Sequence, residues 1–151
     1  MPLTQGLTTQ FKVNCLSGLE NFTTGGEVVI NGVATPLVYK IALYTAAATL
    51  DSTTTAYTTV DEVTGGGYTA GGNTLTVIPP NYSNADNTAY VSFQNTTWSP
   101  ATFTCRGALI YNATTGASVC VLDFGADKTA TGTFTITFPT ADASNAIIRL
   151  S

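Results

Sequence analysis

The residues able to do chemistry in this chain are few, and their spacing keeps them apart. It has no histidine, which excludes Ser–His and Cys–His nucleophile pairs and histidine-ligated metals. Its nine carboxylates are dispersed. Asp61 and Glu62 are adjacent, which on a strand sends them to opposite faces. Asp123 and Asp127 flank a turn and have the oxygen chemistry of a Ca²⁺ site. Ca²⁺ takes roughly six or more oxygens, and no EF-type spacing supplies them, so a turn-stabilising aspartate pair is the plainer reading. Two carboxylates brought together by the fold, as in glycosidases, would be the remaining catalytic route. No spacing points to it, and the expectation is a protein that is not an enzyme and holds no cofactor or metal.

Gly65-Gly66-Gly67 and Gly71-Gly72 match a phosphate cradle in glycine content only. They lack the lysine and the following helix of a P-loop, so they read as a turn that supplies positive φ angles. Three cysteines, Cys15, Cys105 and Cys120, are odd in number and widely spaced, which argues for buried thiols over a disulfide framework. Asn21, Asn81, Asn95 and Asn112 begin N-x-S/T triplets and read as polar loop residues.

The remaining candidates are side chains suited to contact. Tyr and Trp are enriched in interface hot spots, and their flat rings also suit sugar. Tyr57, Tyr68 and Leu50 lie in a long segment outside any strand pattern. Phe11 lies in the N-terminal segment, and Trp98 just before Ser99-Pro100. These five are the candidate interface residues, with core and sheet packing as the alternative for each, above all for Trp98.

The elements that position them follow from periodicity. Phe11, Cys15 and Leu19 recur at helical spacing, so a helix is expected over residues 8–19, capped by Thr8 or Thr9 and ended near Gly18, with Gln10, Lys12 and Asn14 outward. It packs on the sheet or forms an arm to a neighbouring subunit. Asn31-Gly32 between apolar runs marks a hairpin, placed at an edge by Pro36. Ile41-Ala42-Leu43-Tyr44 reads as a central strand. Residues 46–59 are Thr/Ala-rich, extended or with one helical turn, and residues 60–63 form a short strand. Leu75 to Ile78 form a strand stopped by Pro79-Pro80, and a loop follows. Further strands are expected at Tyr90-Val91-Ser92-Phe93, at residues 102–111 and at residues 119–124, with Ser99-Pro100 as a break and residues 125–132 as a turn region. In the strand at 102–111, Cys105, Leu109 and Tyr111 should share a face opposite Arg106, Ala108 and Ile110. Residues 133–138 alternate, with Phe134, Ile136 and Phe138 inward, and Ile147 to Leu150 close the chain. Eight or nine short strands with regular turn signals predict an all-β fold: an antiparallel β-sandwich, jelly-roll-like, with one short N-terminal helix. The organisation expected is one domain over 1–151, with a helical segment or arm at 1–25 and the sandwich at 26–151.

Composition narrows the partners. Of 151 residues, 44% are hydrophobic and 9% charged, against about one quarter charged in an ordinary globular domain. A surface this poor in charge suits cover by another protein. The net charge is −4, and the five basic residues are scattered, which leaves no patch for nucleic acid. No apolar run reaches the roughly 20 residues of a membrane helix. The start, Met1-Pro2-Leu3-Thr4-Gln5, lacks the charged onset and apolar core of a signal peptide, so synthesis and assembly in a cytoplasm are expected.

One block carries a resemblance. The strand KIALYT at residues 40–45, then Leu50-Asp51, Thr-Thr-Ala-Tyr ending at Tyr57, Glu62-Val63 and the run Gly67-Tyr68-Thr69-Ala70-Gly71-Gly72 resemble a pattern in small virion structural proteins of tailed bacteriophages. Further matches are Thr97-Trp98-Ser99, the run Arg106 to Asn112 (RGALIYN), Val121-Leu122-Asp123-Phe124-Gly125 and Phe134-Thr135-Ile136-Thr137-Phe138-Pro139. The resemblance runs from Lys40 to the C-terminus. It implies a virion component, most simply a capsid decoration or cement protein on the outer capsid surface. Such a protein self-associates, as a homotrimer, and lays residues 46–72 and its N-terminal segment on seams between major capsid protein subunits. The alternative is a tail, fibre or baseplate component that binds host surface glycan through exposed Tyr and Trp.

Overall fold

In the computed structural model, which describes residues 3–151, the chain forms an all-β, antiparallel fold with one short helix. In chain order the elements are β1 (Gly6–Leu7), α1 (Thr9–Leu16), β2 (Glu27–Ile30), β3 (Val33–Pro36), β4 (Tyr39–Tyr44), β5 (Asn73–Thr74), β6 (Val77–Ser83), β7 (Thr88–Phe93), β8 (Thr96–Ala101), β9 (Thr104–Asn112), β10 (Ser118–Thr129), β11 (Gly132–Ile136) and β12 (Ile148–Leu150). A five-stranded sheet in the order β1-β10-β9-β4-β5 is the middle of the molecule. The strands β12-β7-β6 and β11-β8 cover one of its faces, and β2-β3 is a separate hairpin.

The middle sheet is buried on both faces. Ile41, Leu43, Ala108 and Ile110 pack with Phe93, Trp98, Ile136 and Ile148 of the covering strands. Ala42, Tyr44, Leu109 and Val121 on the opposite face pack with Leu3, Ala48 and Leu50. A strand stretch buried on both sides is apolar on both, which is why Ile41 to Tyr44 of β4 and Ala108 to Tyr111 of β9 read as continuous apolar runs. The cover on the second face is not a sheet. It is the segment between β4 and β5, residues 45–72, held by its backbone: Thr4 N–H donates to Leu50 O (2.9 Å), Thr9 N–H to Ser52 O (2.8 Å), Tyr57 N–H to Gly116 O (2.9 Å) and Ser118 N–H to Thr55 O (3.0 Å).

Several expectations need correction. The helix ends at Leu16, capped by Thr8, whose Oγ1 accepts from Phe11 N–H at 3.2 Å. Leu19 therefore falls beyond it, and Leu16 is 91% exposed. Asn14, expected outward, is buried, because it accepts from Gln10 Nε2 (2.9 Å) and donates to Glu20 Oε1 (3.4 Å). No helical turn forms at residues 46–48, and residues 60–63 form a bridge to Tyr44 instead of a strand. Neither Pro79-Pro80 nor Ser99-Pro100 stops its strand: β6 absorbs the first in a register shift between Ile78 and Asn81, and β8 runs through the second. Residues 125–129 belong to β10, which passes a large bulge between Asp123 and Lys128. Cys105 packs in the same core as Ala108 and Ile110, and Leu109 and Tyr111 pack in the other. Twelve strands form among the described residues, where eight or nine were expected.

A carboxyl clasp and an exposed apolar stretch

Of the five candidate interface residues, four are interior. Phe11 is 1% exposed, Leu50 3%, Tyr68 8% and Trp98 4%. Phe11 and Trp98 lie in the core between the sheets, and Leu50 lies under the covering segment. Trp98 sits among Tyr68, Phe103 and Phe134 rings, with its Nε1 buried and without a partner. That position removes it from any glycan platform. Tyr57 is half-buried, stacked on Tyr111 at 4.6 Å between centroids. The long segment that carries Leu50, Tyr57 and Tyr68 is thus fastened to its own chain.

What fastens it is Glu62, which the sequence pattern includes but gives no role. Its carboxyl group is buried and accepts three hydrogen bonds. Tyr68 Oη donates to Oε1 at 2.6 Å, Gly71 N–H to Oε1 at 2.7 Å and Tyr57 Oη to Oε2 at 2.7 Å. Tyr111 Oη donates to Gly71 O at 2.8 Å. The signal available in the sequence was a glutamate beside glycines and tyrosines, but nothing in a one-dimensional pattern says that three donors will converge. Asp61 is exposed and Glu62 buried, but no strand separates them: Asp61 has φ +59°, and Val63 is buried beside Glu62. Burial, then the hydrogen bond to Glu62, pushes the Tyr57 and Tyr68 phenols well above their usual range. The tyrosines are held as donors.

Glycine lets the clasp close. A Cβ on Gly72 (φ +72°) would collide with Ile41 O, and one on Gly67 (φ +87°) with Pro100 O. These glycines are close-approach points between backbones, and no bound phosphate is needed to explain them.

A second, partly buried carboxyl, Glu20, accepts from Tyr39 Oη (2.6 Å), Asn112 Nδ2 (3.3 Å) and Asn14 Nδ2 (3.4 Å), tying the end of α1 to β4 and β9. Burial raises it above the ordinary carboxyl value. The thiols are raised by burial too, Cys15 to about 11 and Cys105 and Cys120 to about 12, and none is a ready nucleophile. Asp123 forms an ion pair with Arg106 at 2.9 Å and accepts from Gly125 N–H at 2.9 Å. Those contacts make it a turn-stabilising residue. Among the described residues no group of three or more His, Cys, Asp or Glu could hold a metal ion.

The surface has a different emphasis. The large hydrophobics that stay exposed are Val13, Leu16, Leu19, Val29, Val33, Val38, Val60, Tyr82 and Leu150. The first six fall within residues 13–38, which contain only two charged residues, Glu20 and Glu27. Val13 and Leu16 lie on α1, Leu19 just beyond it, Val29 (68% exposed) and Val33 (63%) on the hairpin β2–β3, and Val38 between β3 and β4. No protein-family model, curated protein or solved structure matches the chain.

Proposed function

We propose that this chain is a structural component of a tailed-phage virion, a capsid decoration protein that self-associates and clamps subunits of the major capsid protein. The observation that carries the reading is the concentration of exposed aliphatic side chains in residues 13–38 on a chain with 9% charged residues. Contiguous apolar surface marks a protein contact. The KIALYT-to-GYTAGG pattern points that contact at a capsid.

The contact surface in this reading is the outer side of α1 with the β2–β3 hairpin. Residues 46–72 support it from behind by sealing the middle sheet. An isolated two-stranded hairpin is marginally stable in water, so a hairpin with valines outward gains most from a partner. Several such contacts on one assembly multiply through effective concentration.

Two measurements test the reading. The first is copy number per virion against the major capsid protein, by quantitative mass spectrometry. A number comparable to the capsid protein is expected, and a few copies would move the chain to the tail. The second is co-sedimentation with capsids. The double variant Val29→Ser, Val33→Ser should fold as the wild type and lose binding, whereas full binding would take the hairpin out of the contact.

A further inference from the structure

We propose that β11 pairs, antiparallel and across a two-fold axis, with β11 of a second copy of this chain. The pairing stands whether or not the assembly is a virion.

The argument begins with the other edges. An unpaired strand edge is a template for another strand, and proteins blunt such edges with proline, charge, bulges, brevity or cover. The edge of β4 beyond its two-residue partner β5 is closed. Leu43 N–H donates to Tyr68 Oη (2.9 Å), Val63 N–H to Leu43 O (2.9 Å) and Thr45 N–H to Asp61 O (3.0 Å). β6 carries Pro79-Pro80 and a register shift. β12 has three residues and a charged Arg149. β10 is bulged between Asp123 and Lys128, and β1 has two residues. The hairpin β2–β3 bears Glu27 and Pro36 at its open end.

β11 is guarded least: its pair with β8 shifts register once, between Gly132 and Phe134, and runs regularly from Phe134 to Ile136. Among the described residues its strand partner is β8 alone. Gly132–Ile136 contains no proline and no charge, and no charged residue occurs between Lys128 and Asp142. A groove of about 320 Å³ runs beside it, lined by Phe124 and Lys128 of β10 and by residues 134–137. The strand is open, β-prone and roomy on one side.

Its sequence selects the occupant. Thr133-Phe134-Thr135-Ile136-Thr137 is symmetric in pattern about Thr135. An antiparallel pair centred there sets Thr135 opposite Thr135, Thr133 opposite Thr137 and Phe134 opposite Ile136. Every threonine then faces solvent, where Thr133, Thr135 and Thr137 already are. Every apolar residue continues the inner face on which Phe134 lies 6.3 Å from Phe124 between ring centroids. Two uncharged edges meet without like-charge repulsion. A self-complementary patch of this kind is what a two-fold interface requires. A charged or proline-bearing strand would fit less well than a second copy.

The test uses the full chain and charge-swapped variants. Sedimentation velocity over a concentration series should show wild type in monomer–dimer exchange. Thr135→Lys and Thr135→Glu, at an exposed position, should each keep the native circular dichroism spectrum and weaken the dimer by about tenfold or more, because like charges then lie directly opposite. Mixing the two variants should restore a dimer, now hetero, because the opposite charges face each other. A strictly monomeric or trimeric wild type would overturn the proposal. So would a Thr135→Lys dimer of unchanged affinity, or a mixture no tighter than its parts.

Discussion

Tyr68 and Glu62 form a two-way link between the long covering segment and the middle sheet. The phenol donates to Glu62 Oε1 at 2.6 Å and accepts the backbone N–H of Leu43, in β4, at 2.9 Å. One hydroxyl thus satisfies a buried carboxyl and closes a strand edge. Tyr68→Phe removes both contacts with little change in shape. An unsatisfied buried polar group costs about 1–3 kcal/mol; Leu43 N–H is orphaned here, while Glu62 loses one of three donors and keeps Gly71 N–H and Tyr57 Oη. The expected loss is about 1–3 kcal/mol in urea unfolding. A loss under about 0.5 kcal/mol, the scatter of ordinary surface substitutions, would show that the link is not structural.

Tyr57 reaches the other carboxyl oxygen, and the two tyrosines therefore share a partner. Residues in one network couple by about 0.5–3 kcal/mol in double-mutant cycles. Tyr57→Phe combined with Glu62→Gln should destabilise by less than the sum of the single changes. Strict additivity would mean that the 2.7 Å contact contributes nothing to stability.

The segment 46–59 lacks a strand pattern, which suggests that the fold could spare it, but its packing says otherwise. Its own Ala48 and Leu50 are buried against the middle sheet, and Ser118 Oγ donates to its Thr54 O at 2.7 Å. Deleting residues 46–59 should expose Tyr44, Leu109 and Val121, strip backbone partners from Thr4, Thr9 and Ser118, and abolish the cooperative thermal transition. A deletion variant that melts cooperatively would restore the segment to the list of free arms.

The sequence made some of this legible and hid the rest for physical reasons. Period-two alternation told the register of residues 133–138, because one face of β11 meets the core and the other meets water. Asn31-Gly32 told the hairpin, because both residues adopt positive φ, 51° and 79°, in a turn that demands it. The cover on the second face was not legible. Its apolar residues, Ala48, Leu50 and Tyr57, are sparse and aperiodic, since a loop that packs by backbone hydrogen bonds needs no hydrophobic period. Tyr68 was hard to place for the same reason: it lies outside any strand pattern and yet fills the core, as does Trp98, for which core packing was the favoured alternative.

Glu20 gives a pH signature. Burial raises its carboxyl above the ordinary value of 4.5 in the folded chain, while hydrogen bonds from Tyr39, Asn14 and Asn112 pull the other way. A raised folded value means the folded state binds the proton more tightly. The stability that proton confers is full below the ordinary value and is lost as pH rises through the folded one. Asp51, Asp123 and Asp142 are lowered and act oppositely, so wild-type stability alone will not isolate Glu20. The difference between wild type and Glu20→Gln will. As pH rises above the ordinary carboxyl value, the variant should gain on the wild type until Glu20 is fully ionised in the folded chain. A difference that does not vary with pH would show that Glu20 is not under strain.

Ile136 tests the register of β11 itself. It is 8% exposed, beside Phe138 at 8%, in the core shared by the two layers, while Thr137 between them faces water. A one-residue slip would exchange the two faces along the whole strand. Ile136→Asp buries an unpaired charge, which costs several kcal/mol and ordinarily unfolds a marginal domain. Thr137→Asp changes the same atoms one position on, in solvent, and should stay within about 0.5 kcal/mol of wild type. Circular dichroism melts of the pair give the answer directly. If Ile136→Asp unfolds cooperatively near the wild-type temperature while Thr137→Asp does not fold, β11 is inverted, and the self-pairing centred on Thr135 falls with it, because the threonines would then line the core.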